Sequence, residues 1–177
     1  MQIFSQICGV IATAFTIFAL FNNDKSKILI YKCISDTIFC LQWLLLSSFL
    51  GALISLIAVI RNLTYYFLSK KERKATPFVY LFSLIIIMVG IISYKTPFDI
   101  LAILGSVAYT FSFSVKDVIQ LKYLTLIASG LWLIYGVFYF SIGGIISESF
   151  SILSTVISLI IIERTKNFQV RQAKRLK

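Results

Sequence analysis

The 177 residues are 59% apolar and only 14% charged, with 17 basic residues, seven acidic ones and no histidine. Soluble domains carry about 25% charged residues, so the composition excludes a soluble globule and predicts a polytopic membrane protein. The missing histidine removes the commonest general base and metal ligand. The net charge of +10 concentrates in loops and tail, where membrane orientation and anionic lipid explain it without nucleic acid.

Apolar runs long enough to cross a hydrocarbon core predict seven helices, at about 3–21, 33–49, 51–68, 77–94, 99–115, 122–140 and 143–162. No Lys or Arg precedes the first run, which therefore reads as a transmembrane helix and not a secretory signal. Cys8, Cys33 and Cys40 fall in or beside apolar spans without a CxxC pair, as small buried hydrophobes do. Connections are short, with tight turns near Ser47-Ser48 and Gly143-Gly144, so neighbouring helices run antiparallel. Pro77 and Pro97 mark helix starts.

Basic residues fix the expected orientation. Lys25, Lys27, Lys32, Lys70, Lys71, Arg73, Lys74, Lys116, Lys122 and six Lys or Arg of the tail fall on one side; Lys95 alone falls on the other. The N-terminus is expected outside and the C-terminus in the cytoplasm. The spans also repeat. Gly9 and Phe15 match Gly105 and Phe111, and after a three-residue gap Asp24 and Gly51 match Asp117 and Gly144 at a separation of 93. A first three-helix repeat (1–70), a basic loop with a linker helix (71–98), a second repeat (99–163) and a basic tail (164–177) follow. The odd linker gives both repeats one orientation, with a site expected at the midplane between them.

Arg61 and Asn62 interrupt the third span. An arginine in lipid costs between ~3 and ~15 kcal/mol, and snorkelling covers only part of the way to Lys70, so Arg61 is expected to face the bundle interior or a wet cavity. Glu148, in span seven, is a functional candidate by the same reasoning, able to carry a proton, bind a cationic ligand or neutralise Arg61. Ser147, Ser151, Ser154 and Ser158 share its helix and read first as a packing seam. In span two, Asp36, Cys40, Trp43 and Ser47 share a face. Asp36 lies near the cytoplasmic end, where a solvated role competes with ligand contact, and Trp43 is either an interfacial anchor or a lining residue. Trp132, Tyr135, Gly136 and Tyr139 align in span six as a stacking surface or as helix packing. Span five offers Gly105, Tyr109 and Ser112; span one offers Gln6, Gly9, Thr13 and Thr16. Asn62-Leu63-Thr64 fits a glycosylation pattern at a depth where glycosylation cannot occur.

The three-one-three layout, the outside N-terminus and Trp132-x-x-Tyr135-Gly136 resemble the SWEET and PQ-loop superfamily, whose general architecture the PnuC-type vitamin-precursor permeases share. The Leu41-Gln42-Trp43-Leu44-Leu45-Leu46 stretch, Gly51-Ala52 and the Arg61-Asn62 pair are most similar to the YgjV family of small bacterial inner-membrane proteins. The resemblance implies two parallel three-helix bundles around a linker helix, and kinship with uniporters. In the sugar-transporting members a ligand-facing asparagine corresponds to Asn62, with Thr155 or Ser154 in the second half. The chain departs from those members in having no Pro-Gln dipeptide and no proline within spans one, two, five or six, so neither a sugar nor a proline hinge follows.

The expectation is an all-α, seven-helix protein of the bacterial inner membrane that moves a polar or aromatic solute, such as a vitamin precursor, nucleoside or sugar, by facilitated alternating access. Its site would comprise Arg61, Asn62, Trp132, Tyr135, Glu148, Trp43 and Tyr109, with Trp132 and Tyr135 as the floor. The alternative is a non-transporting scaffold, sensor or assembly partner. No enzyme activity, metal or cofactor is expected, because no nucleophile–base pair is visible. Expected partners are the solute and the bilayer, with anionic lipid at the basic segments; nucleic acid is not one, and a homo-oligomer stays open.

Overall fold

A computed structural model describes residues 2–20, 25–71, 76–112, 115 and 118–175, with side chains at these positions except 20, 25, 118, 163 and 165–175. Asp24, Arg73, Lys74, Lys116, Asp117 and Lys177 lie outside the described residues, as do the side chains of Lys25 and of the tail beyond Arg164. The described residues form seven helices and no strand: α1 Gln2–Leu20, α2 Lys25–Leu45, α3 Phe49–Lys70, α4 Thr76–Ile92, α5 Asp99–Ser112, α6 Val118–Phe138 and α7 Ile142–Arg175.

Five of these, α1, α2, α3, α6 and α7, are long and apolar enough to cross a membrane. The other two are shorter. α4 has 17 residues and α5 has 14, the latter only about 21 Å long at 1.5 Å per residue. The outer surfaces of α1, α4 and α7 carry Phe4, Ile7, Phe18, Leu84, Met88, Ile91, Leu153 and Ile157 exposed, an outward apolar face that lipid satisfies. The interior is polar by comparison, with Ser5, Thr13, Ser35, Asn62, Thr110, Ser129 and Ser141 all buried.

The second helix differs from its expected bounds. It starts at Lys25 instead of residue 33 and ends at Leu45. The apolar run drawn from residue 33 ignored Ile28, Leu29 and Ile30, which continue the same helix past the charge of Lys32. Asp36 consequently sits 11 residues inside α2, not near a solvated end, and Lys32 belongs to the helix rather than to a loop. At the other terminus α7 runs unbroken through the expected start of the tail at residue 164.

Both short turns have one design. Ser47 and Phe140 take positive φ, 59° and 52°, reversing the chain without a glycine. Ser48 Oγ accepts from Gly51 N at 3.2 Å, and Ser141 Oγ accepts from Gly144 N at 3.1 Å, each satisfying an orphan donor at a helix start. Ser48 N donates to Trp43 O and Ser141 N to Gly136 O, both at 2.9 Å. These positions, and the bounds of α2 and α6, differ by 93 throughout.

In space α2 packs on α1 and α3, α6 on α5 and α7, and α4 on α3 and α5. Two seams join the groups: α1 against α7, and α3 against α5. At the first, a methyl added to Gly143 would collide with the backbone of Gly9. Thr13 Oγ1 lies 2.8 Å from Gly9 O and 2.7 Å from Gly143 O, sharing its proton between the two helices. Gln6 completes the seam, donating to Phe140 O at 2.8 Å and accepting from Ile142 N at 3.0 Å.

Gly143→Ala is therefore expected to destabilise by about 1–3 kcal/mol through overpacking, read as a lower Tm in detergent. Gly130→Ala, where an added Cβ meets nothing within 4 Å, should leave Tm unchanged or raise it.

Candidate functional site

Polar side chains from five helices converge on the bundle interior in two hydrogen-bonded groups. Arg61, 4% exposed on α3, donates to Thr110 Oγ1 at 2.9 Å and to Asn62 Oδ1 at 3.4 Å. Asn62 Nδ2 donates to Asp36 Oδ2 at 2.7 Å, so a neutral amide bridges a guanidinium on α3 to a carboxylate on α2. The second group centres on Tyr109. Its hydroxyl donates to Glu148 Oε2 at 2.6 Å and lies 2.6 Å from Ser129 Oγ; Ser129 donates onward to Ser151 at 2.8 Å. Adjacent residues of α5, Tyr109 and Thr110, thus hold the two groups side by side.

Two cavities flank this belt. The inner one, of about 70 Å³, is lined by Lys32, Asp36, Phe39, Trp43, Ile54, Ser55, Arg61, Ile86, Ser106, Tyr109, Trp132, Gly144 and Glu148. The larger one, of about 280 Å³, opens among Thr16, Ala19, Ile28, Lys32, Tyr109, Leu121, Lys122, Thr125, Ser147, Glu148, Ser151, Ser154 and Thr155. One water needs about 10–15 Å³ on such a measure, so both have room for several. Lys32, Tyr109 and Glu148 belong to both linings and form the shared wall. Lys32 Nζ stands 6.0 Å from the centre of the Tyr109 ring, within cation–π range.

The larger cavity lies toward the end where α1 finishes and α2 and α6 begin. At the end with the two tight turns aromatic rings cluster. Trp43 lies 5.8 Å from Trp132, 5.4 Å from Tyr135 and 6.2 Å from Tyr139. Tyr135 is fully buried, and its hydroxyl lies 2.7 Å from Ser48 Oγ, tying α6 to the turn before α3.

Of the seven residues singled out by sequence, Arg61, Trp43, Trp132, Tyr109 and Glu148 line the inner cavity. Asn62 stands behind its wall, bonded to Asp36. Tyr135 belongs to the ring cluster above the cavity and not to a floor within it. Arg61 and Glu148 face one chamber, with Thr110 and Tyr109 as hydrogen-bond partners. Lys32, Asp36, Ser106 and Ser129 were missed or set aside. Their signal lies in the 93-residue offset: Lys32, Asp36, Arg61 and Glu148 correspond to Thr125, Ser129, Ser154 and Ser55. Each of these four charges of the inner cavity has a hydroxyl at its counterpart position.

Residues 3–166 match the model of a family described as a bacterial inner membrane protein, Imp-YgjV. The chain belongs to the Imp-YgjV family. It is a multi-pass protein of the bacterial inner membrane. No curated protein and no solved structure matches it.

In this family member the Asp36–Asn62–Arg61 chain is expected to behave as one unit. Removing one partner of a buried charge pair costs about 3–5 kcal/mol, whereas replacing both is close to neutral. Asp36→Leu and Arg61→Leu should each lower Tm sharply in detergent. The double variant should recover more than half of the summed loss, whereas simple additivity would show the two charges to be independent.

Proposed function

We propose that this Imp-YgjV protein is a small-molecule transporter of the facilitator type, working by alternating access, with its site in the inner cavity. The observation that carries the reading is a pair of adjacent cavities sharing a wall of Lys32, Tyr109 and Glu148, with a cluster of aromatic rings at the end of the two tight turns. With the rings taken as the seal, the chamber is open toward the other end only, as in one half of an alternating-access cycle. Intramembrane charges that face a cavity, and not lipid, are the usual mark of a solute or ion path.

The corresponding turns at Ser48 and Ser141 support a division into two three-helix repeats, α1–α3 and α5–α7, with α4 as the linker. Rocking of one repeat against the other would open the α1–α7 and α3–α5 seams around a fixed site. The excess of Lys and Arg at the opposite end from the turns supports a cytoplasmic placement of that end, held against anionic lipid. The state described is then inward-open. The reading assigns the chain no chemical reaction.

Accessibility of single cysteines tests it, in a background where Cys8, Cys33 and Cys40 are replaced. A membrane-impermeant thiol reagent applied from the cytoplasmic side should label Ser151→Cys and Ser55→Cys. From the outside it should label Ser55→Cys in only a minor fraction. No labelling of either position from either side would leave no route for a solute and favour a non-transporting scaffold.

A further inference from the structure

The inner cavity carries a charge pattern that narrows what it admits. Two positive residues, Lys32 and Arg61, and two negative ones, Asp36 and Glu148, line about 70 Å³. A chamber so balanced gains nothing from an ion of either sign, since a net charge brought into a poorly solvated interior is left without a counter-charge. A ligand carrying both signs keeps the balance and meets a partner for each.

The partners are also sorted in space. On the α3–α5 side stand the Arg61 guanidinium and Ser106, whose Oγ is buried, 3% exposed and without a hydrogen-bond partner. A buried hydroxyl without a partner is costly, and here it lines the cavity. Together they form a donor corner suited to a carboxylate. Glu148, held by Tyr109, lines the same cavity and provides an acceptor for an ammonium group. Thr110 and Tyr109, which hold the two corners, are consecutive in α5. Arg61, Ser106 and Glu148 line one cavity of about 70 Å³, so a ligand that meets them all carries its opposite charges within one small molecule. Trp43 and Trp132 complete the lining with apolar rings, able to cover an uncharged side chain.

We infer that the inner cavity binds a small zwitterion, an α-amino acid with an apolar side chain, its carboxylate on Arg61 and Ser106 and its ammonium group on Glu148. This rests on the transporter reading only for the step of translocation; the binding chemistry stands apart from it. The four hydroxyl counterparts of the charged residues agree with the assignment. The same helix positions accept Ser or Thr in the other half, so the fold itself does not require charges there.

Thermal shift of the purified protein in detergent, with alanine, leucine and phenylalanine, tests the inference, since a ligand that binds the native state raises Tm by mass action. Phenylalaninamide and N-acetylphenylalanine present the same ring with a net positive and a net negative charge. The amino acids should raise Tm, while both derivatives bind at least about tenfold more weakly. Ser106→Ala should weaken phenylalanine binding severalfold without lowering the Tm of the unliganded protein. Glu148→Gln should narrow the preference for phenylalanine over its N-acetyl derivative. No shift with any amino acid, or a derivative that binds as tightly as its parent, overturns the proposal, and the wild-type series decides this even if Glu148→Gln fails to fold. Uptake of radiolabelled phenylalanine into proteoliposomes separates the two levels. Binding without uptake keeps the zwitterion site and removes the transporter; uptake of a different solute by a protein blind to amino acids does the reverse.

Discussion

A guanidinium in the middle of a membrane-spanning helix sets the terms for everything around it. Arg61 is 4% exposed, and lipid offers a charge at that depth nothing. The protein answers with polar groups drawn from neighbouring helices, Thr110 from α5 and, through Asn62, Asp36 from α2. Those contacts pull α2, α3 and α5 around one point, and Tyr109, next to Thr110, carries the polar belt on to Glu148 and Ser129. The bundle has its cavities where it does because charged side chains of this size, once gathered, leave space between their heads that apolar side chains do not fill.

The end with the two tight turns is held by packing, without charge. Trp43, Trp132, Tyr135 and Tyr139 interlock there, with ring centres 4.8–6.2 Å apart. Tyr135 places its hydroxyl on Ser48, a helix cap. The ring cluster thus depends on a turn, and the turn recurs with its hydrogen bonds at Ser141. A glycine contact between α1 and α7 holds the same end of the molecule. Ring contacts and small-residue seams of this kind come apart without stranding a charge, unlike the polar belt at the centre.

How much of this was readable in the chain depended on the interaction. Apolar run length gave the helices, and small polar residues with glycines marked both tight turns, because these signals are local. The aromatic face of α6 followed from helical spacing, and its rings do cluster. The start of α2 lies eight residues earlier than expected because Lys32 looks like a loop charge, whereas in the folded protein it faces a cavity. That shift hid Asp36 as well. The partners of Arg61 were beyond reach: no local rule distinguishes Glu148 from Asp36 as its neighbour when three helices intervene. Serines read as a packing seam proved divided, since Ser147 and Ser151 are buried while Ser154 is exposed, yet all three border the larger cavity.

The four charged residues of the inner cavity each have a hydroxyl counterpart 93 residues away, which supports the proposed pair of repeats as one scaffold with different decoration. The central claim is that this decorated chamber opens alternately at its two ends. Double electron–electron resonance tests it directly, with spin labels at Phe49→Cys on α3 and Phe140→Cys before α7, exposed sites at the sealed end. In lipid the account predicts two distance populations, the longer one marking separation of the halves. A single narrow distance, unchanged by pH, salt or added solute, would contradict it.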